Sequence, residues 1–293
     1  MKYGAIDIGT NAARLLIGEV VKNNGRAFVK KISYTRVPLR LGFDVFSNGK
    51  ISEEKVKKFV KTIKAFQLIA DVYDVNAVRA CATSAMREAI NSKEIQKKIK
   101  TETGINIEII DGQEEGEIIL STFFLLAMDK ESPFVVIDVG GGSTEISVFE
   151  NGKKITGKSF NIGTIRILKE QINKDMWEEL SSWLKSHIEI ETVHKVFATG
   201  GNINKLHKLM NKRFMEPIST RELKKMKEKL SNLSINERVS AFKLKPDRAD
   251  VIVPATEIYD FIISQIDCKK LFVPKIGLSD GIIYSLYKKE ISS

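Results

Sequence analysis

Hydrophobic positions along the chain follow two rhythms. Near the N-terminus the short apolar runs Ala5-Ile6 and Leu15-Leu16-Ile17, separated by a glycine turn, read as buried strands. Asn24-Gly25, set between strand-like stretches, reads as a hairpin turn into a third strand. The same order returns later as Val136-Ile137, Ile146-Ser147-Val148 and Asn151-Gly152. Each half of the chain is thus predicted to open with a three-stranded antiparallel meander. Between these repeats the period changes. Val56, Phe59, Val60, Ile63, Phe66 and Ile69 share one face of a helix over Glu53–Val72, with Ser52 as its N-cap.

The same reading makes Val75–Cys81, Ile105–Ile110, Lys195–Ala198 and Lys270–Pro274 strands. It makes Asn91–Glu102, Gln113–Met128, Met176–Ile188, Asn202–Met210, Ser219–Leu233 and Gly281–Lys289 helices. Arg248–Gln265 reads as a helix interrupted at Pro254. The polar break Asp129-Lys130-Glu131-Ser132-Pro133 divides the chain into lobes of residues 1–130 and 131–293, with the last helix, 281–291, expected to pack back on the first lobe. Meanders followed by alternating helices and strands predict an α/β protein with mixed sheets, and 293 residues exceed what one core commonly serves.

Composition narrows the function classes. No apolar stretch is long enough to cross a bilayer, and Tyr3-Gly4-Ala5-Ile6-Asp7 follows the single Lys2 with no export signal, so a cytoplasmic protein with no membrane partner is expected. Cys81 and Cys268 are far apart and outside any CxxC, which fits a reducing compartment and excludes a disulfide or zinc framework. The net charge of +10, with lysines grouped in Lys55–Lys64, Lys93–Lys100 and Lys224–Lys229, suits a polyanionic ligand, although mixed Glu/Lys spacing also describes ordinary solvated helix faces. No nucleic-acid module stands out, so no nucleic-acid partner is expected.

Candidate chemistry sits in the turns. Gly140-Gly141-Gly142-Ser143 follows a strand and echoes Gly9-Thr10-Asn11. Three consecutive glycines exceed what a tight hairpin needs, and backbone amides in such a turn cradle phosphate oxygens. Asp7 and Asp138 precede the two turns, and Glu145 follows the second. A carboxylate beside a phosphate cradle calls for a cation, and Mg²⁺ shares oxygen ligands with phosphates; capping of turn amides is the plainer role for a single Asp. Glu114 and Glu115 open a helix after Asp111-Gly112, where acids also complement the helix dipole. Adjacent helix residues point about 100° apart, so only one of the two faces a given site. Arg87, after the strand ending at Cys81, carries donors that fit phosphate or an acidic neighbour. Gly200-Gly201 before a helix is a weaker signal for a nucleotide or phosphate contact. His187, His194 and His207 show no ligand-like pairing.

The segments Ile6-Asp7-Ile8-Gly9-Thr10-Asn11, Ala82-Thr83-Ser84-Ala85-Met86-Arg87-Glu88-Ala89, Ile109-Ile110-Asp111-Gly112-Gln113-Glu114-Glu115, Ile137-Asp138-Val139-Gly140-Gly141-Gly142-Ser143-Thr144-Glu145, Gly163-Thr164-Ile165-Arg166, Ala198-Thr199-Gly200-Gly201-Asn202, Arg248-Ala249-Asp250-Val251-Ile252 and Gly277-Leu278-Ser279-Asp280-Gly281 together resemble the exopolyphosphatase / guanosine-pentaphosphate phosphohydrolase family. The likeness runs through essentially the whole chain. It implies two actin-like (ribonuclease H-like) lobes with an interdomain cleft. It implies hydrolysis of terminal phosphoanhydrides in polyphosphate, pppGpp or both, with Mg²⁺ or another divalent cation such as Mn²⁺. The family's catalytic glutamate falls on Glu115. Asp138, Glu145 and, by the echo, Asp7 fall on acids that hold metal or position water. Asn11, Arg87, Gly141, Gly142 and Ser143 fall on phosphate-contacting positions, to which the glycine turns themselves add Gly9, Thr10 and Gly140. Long members carry further helical domains; this sequence stops at Ser293, so reduced processivity on long chains is expected, and a homodimer is implied by likeness alone. Asp111 stands where many relatives have Ser. The rival readings are an actin-like ATPase or small-molecule kinase, which shares the glycine turns, and a non-catalytic sensor of the same anions.

Overall fold

A computed structural model of the chain describes residues 1–23, 26–123, 126, 131–189, 193 and 195–291. The Asn24-Gly25 turn, the end of the expected Gln113–Met128 helix, Asp129-Lys130 and His194 lie outside the described residues.

The first unit begins with β1 (Lys2–Ile8), β2 (Ala13–Asn23) and β3 (Arg26–Val37), paired antiparallel in sequence. After α1 (Leu41–Asn48), the long α2 (Glu53–Val72) leads into β4 (Ala77–Ala82), which lies parallel to β1. Then come α3 (Ser84–Glu88), α4 (Ser92–Thr103), β5 (Ile107–Ile109), parallel to β4, and α5 (Gly112–Phe123). The sheet order is β3-β2-β1-β4-β5. Tyr3 to Ile8 of β1 are all buried, which is why this central strand reads as a near-continuous apolar run. On α2 the expected stripe buries Val56, Phe59, Val60, Ile63 and Phe66. Ser52 stands at its N-cap position, but the hydroxyl donates to Asp44 Oδ2 at 2.6 Å instead of accepting from the helix.

The second unit repeats the plan. Its meander is β6 (Phe134–Val139), β7 (Thr144–Glu150) and β8 (Lys153–Phe160). Asn151 and Gly152 join the last two with φ of 50° and 70°, the left-handed pair of a type I′ turn that Asn-Gly favours. α6 (Thr164–Leu168) and α7 (Lys174–His187) precede β9 (Lys195–Thr199), parallel to β6. α8 (Gly201–Leu209), β10 (Ile218–Ser219), α9 (Thr220–Ser231), α10 (Ile235–Phe242), α11 (Pro246–Ala249), α12 (Ile252–Gln265) and β11 (Lys270–Phe272) follow. The sheet order is β10-β11-β9-β6-β7-β8, and its core includes Val135, Ile137, Val139, Ile146, Ile203, Ile258 and Ile262. The expected interruption at Pro254 lies elsewhere: the helix breaks around Asp250 and Val251, and Pro254 sits in the first turn of α12. A first-turn amide has no intrahelical acceptor to lose, so proline is tolerated there.

The chain then forms α13 (Leu278–Ile291), the last helix expected to return to the first lobe. Residues from Ile276 onward belong with the first unit, and the second comprises Asp129–Lys275. Burial of Leu278, Ile282 and Ile283 drives the return. Gly18 of β2 leaves room for Ile283, whose Cδ1 would lie 3.0 Å from a Cβ there. At the far end Tyr3 Oη donates to Glu290 Oε2 at 2.6 Å. Among the described residues no helix is long and apolar enough to cross a membrane. Cys81 and Cys268 are both buried, and burial pushes the Cys81 thiol up to about 12.

Candidate active site

The glycine turn of the second unit is held from one side. Thr164 N donates to Gly140 O at 3.1 Å, Ile165 N to Gly141 O at 2.8 Å, and the buried Arg166 donates from Nε to Gly142 O at 2.7 Å. Every peptide here is trans, so the amide in each of these planes points opposite to its carbonyl. The N–H groups of Gly141, Gly142 and Ser143 therefore all point away from α6, the arrangement that receives an anion. Gly163 is glycine for a packing reason, since a Cβ there would come 2.5 Å from Gly141 O.

The first unit builds its turn the same way. Gly42 N donates to Thr10 O at 3.0 Å and Arg40 N to Asn11 O at 2.8 Å, which turns the Asn11 and Ala12 amides to the opposite side. A Cβ on Gly42 would overlap Thr10 Cγ2. Gly9 N closes its turn onto Ala12 O at 3.1 Å, just as Gly140 N closes onto Ser143 O at 2.9 Å. The segments Arg40-Leu41-Gly42 and Gly163-Thr164-Ile165-Arg166 are thus counterparts. The first carried no signal in the sequence, because its role depends on contact with a turn some thirty residues earlier.

The acids beside the turns differ between the units. Strand register sets Asp7 opposite Arg14, and Arg14 Nη1 lies 2.5 Å from Asp7 Oδ2. The equivalent register sets Asp138 opposite Glu145. Asp7, expected to ligate metal, already has a cationic neighbour; Asp138 faces a second carboxylate, and like charges directly opposite repel. Glu145 Oε1 accepts from Ser143 Oγ at 2.6 Å and Ser159 Oγ at 2.9 Å. Glu145 is 7% exposed, so its charge is close to fully withdrawn from water. Among the described residues no group of three or more His, Cys, Asp or Glu side chains gathers as a metal cage. Two carboxylates that leave the remaining positions to water and phosphate suit Mg²⁺, which seldom uses an all-protein cage.

Arg87 and Glu115 meet. Ile8, Ala82 and Ile109 end the parallel strands β1, β4 and β5, and the next residues tie them together, Thr83 N donating to Ile8 O at 3.1 Å and Ile110 N to Ala82 O at 3.0 Å. The Gly9 turn, α3 and α5 therefore all leave the carboxyl ends of these parallel strands. Arg87 Nη1 donates to Ile110 O at 2.8 Å and lies 3.4 Å from Glu115 Oε2. Asp111 caps α5, its Oδ1 accepting from Glu114 N at 2.8 Å, a role Asp fills as well as Ser. Glu114 turns the other way and pairs with Arg79 at 2.9 Å, which also holds Glu108 at 2.7 Å. The question left by two adjacent acids is thus resolved by partner: Glu114 belongs to a surface ion-pair group, and Glu115 stands beside Arg87, 12% exposed.

Gly200 and Gly201 open α8, but Gly200 has a structural reason to be glycine. Its φ is 111°, and a Cβ would come 2.9 Å from both Asp138 Oδ1 and Val139 O. Beside it the buried Tyr259 hydroxyl donates to Thr199 O, and burial together with the nearby Asp138 charge raises that phenol well above its usual range. Gly200→Ala is expected to destabilise the protein by about 1–3 kcal/mol through backbone strain, and to displace Asp138. Thermal unfolding checks the first effect, and an unchanged midpoint would mean that the contact is dispensable.

A model of the Ppx/GppA phosphatase family matches residues 20–290. The chain is 32% identical to the bifunctional 3-dehydroquinate synthase/phosphatase of Fusobacterium nucleatum over 290 residues, 88% of this chain and 42% of that protein. It thus spans less than half the length of that relative. It is 23% identical to exopolyphosphatase 1 of Mycobacterium leprae over 303 residues, covering 97% of this chain and 88% of that protein. An exopolyphosphatase structure from Cytophaga hutchinsonii superposes with a TM-score of 0.83 at 22% identity over 99% of this chain and 98% of that one. A Ppx/GppA family member from Aquifex aeolicus gives 0.79 at 24% identity over 100% and 99%. At those identities the structures establish the fold alone.

Proposed function

The chain belongs to the Ppx/GppA phosphatase family, and from that membership we propose that it is a phosphohydrolase that releases terminal phosphate from inorganic polyphosphate or pppGpp. The observation that carries the reading is the placement of Glu115: a carboxylate at the start of α5, 3.4 Å from Arg87 Nη1, at the same carboxyl ends of the strands from which the Gly9 turn leaves. Phosphoryl transfer asks a protein mainly to position groups and to balance charge. Arg87 suits a phosphate oxygen through its forked donors. On the second unit, the amides of Gly141, Gly142 and Ser143 suit the oxygens of a phosphate. Glu115 aligns a water for in-line attack on phosphorus and accepts its proton as the phosphoanhydride bond breaks, leaving inorganic phosphate and a chain one unit shorter.

Asp138 and Glu145 would hold the divalent cation, Mg²⁺ or Mn²⁺, and that ion would neutralise the charge of a phosphate at the second unit's glycine turn. Asp7 is left out of that set because Arg14 balances it. The names of relatives support polyphosphate as substrate; pppGpp rests on the family resemblance.

Phosphate release with Mg²⁺ from short polyphosphate, long polyphosphate, pppGpp and ATP, measured in parallel, tests the reading. Release from polyphosphate or pppGpp well above that from ATP is expected. Turnover of ATP alone would replace the reading with the ATPase alternative, and turnover of none would replace it with a binding protein.

A further inference from the structure

The motif Gly277-Leu278-Ser279-Asp280-Gly281 takes no part in the chemistry above, yet it is built into the first unit with unusual closeness. Asp280 is 5% exposed. Its Oδ2 accepts from Gly277 N at 3.1 Å, which closes the first turn of α13. Lys31 Nζ, on β3, reaches both carboxylate oxygens, at 2.8 Å and 3.0 Å. Burial raises the Asp280 carboxyl above its usual range, and the Lys31 ammonium opposes that rise. A buried carboxylate of this kind costs stability unless paired, so the pair specifies where α13 starts more than it adds to the net stability of the fold.

One residue on, Gly281 lies directly against α5. A Cβ there would overlap the carbonyl oxygen of Ile118 and come 2.6 Å from Ile118 Cγ2. The obstacle is backbone, which cannot swing aside as a side-chain end can. Ile118 is three residues after Glu115 on the same helix, about 4.5 Å along its axis. The backbone that carries Glu115 is therefore in contact with a helix whose start is pinned to the sheet by Asp280 and Lys31.

We propose that Gly281 and the Asp280–Lys31 pair are positioning residues for Glu115: they set how closely α13 approaches α5 and so fix Glu115 relative to Arg87. The proposal rests on the reading that Glu115 acts on the attacking water. Catalytic groups tolerate little displacement, and a misplacement near 1 Å can cost about a hundredfold in rate.

The test is a double-variant cycle on the full chain, with steady-state phosphate release from short polyphosphate as the activity and the circular-dichroism unfolding midpoint as the check on folding. Gly281→Ala is expected to lower kcat about a hundredfold with KM changed less than about twofold. In a Glu115→Gln background the same change is expected to cost nothing further, because the group it misplaces is already gone. Asp280→Asn keeps the acceptor for Gly277 N and removes the charge facing Lys31. It is expected to lower kcat about tenfold, again only when Glu115 is present, and it decides the matter if Gly281→Ala does not fold. Equal fold-losses in the two backgrounds would show a merely structural role and overturn the proposal, as would full activity of both single variants. Full activity of Glu115→Gln itself would instead overturn the assignment of Glu115, which separates failure of the premise from failure of the inference.

Discussion

Glu115→Gln is expected to lower kcat for phosphate release about a thousandfold, inside the 10²–10⁴ range typical of a positioned general base, while the fold stays in place. The amide keeps the size of the side chain and one acceptor oxygen facing Arg87, so substrate binding and packing change little. What disappears is the capacity to take a proton from water as it attacks. Glu114→Gln is the matched control. It shares the helix turn, but its carboxylate is 45% exposed and paired with Arg79, and an exposed pair of this kind contributes at most about 1 kcal/mol. Turnover within about twofold of wild type is the expected result there. Steady-state rates of the two variants on the same substrate check both statements. Equal losses would mean that the turn, and not Glu115, matters, and a fully active Glu115→Gln would remove the proposed base.

Much of this arrangement is legible in the sequence, and what is not has identifiable causes. The two meanders showed because their strands are buried runs joined by Asn-Gly, a local signal; Asn151 and Gly152 adopt the left-handed pair that such a turn requires. α2 showed because 20 residues give a helical period room to repeat. α3 and α6 have five residues each, too few for a period, so the helix that carries Arg87 and the one that pins the second turn were not anticipated. α10 was missed although Ser234 and Glu237 form a complete capping box, a spacing visible in the sequence. The restart of the chain into the first unit after Lys275 was expected only for its last helix, since a short return shows no change of composition.

The site divides in the same way. The residue types and their turns were readable; their partners were not. Asp7 and Asp138 looked alike because the comparison stopped at the turn. Seven residues after each stands its cross-strand neighbour, Arg14 in one case and Glu145 in the other, and that difference in sign separates an acid set beside a cation from an acid set beside a second acid. Counting residues across the turn would have found it. The pinning of three carbonyls by Thr164, Ile165 and Arg166 spans more than twenty residues and needed the structure.

The contrast between the two turns yields the other large effect. Mg²⁺ is expected to raise the unfolding temperature of the wild-type protein: at a hundredfold excess over its dissociation constant, a ligand of the folded state alone adds about 2.7 kcal/mol. For a chain of this size that is roughly 4–5 °C. Asp138→Asn and Glu145→Gln are each expected to abolish that rise and to lower kcat about a hundredfold or more, an effect comparable to loss of a main electrostatic contact in a site of this kind. Glu145→Gln keeps an oxygen for the Ser143 and Ser159 hydroxyls, so it tests the charge with the packing held. Asp7→Asn provides the opposite pattern. It leaves Arg14 without its partner carboxylate, so it should cost stability without metal and still respond to Mg²⁺. Differential scanning with Mg²⁺ or Mn²⁺ titrated to saturation reads all three variants. A response lost in Asp7→Asn and kept in Asp138→Asn would move the cation to the first turn, and would mean that the Arg14 contact yields to the ion when it binds.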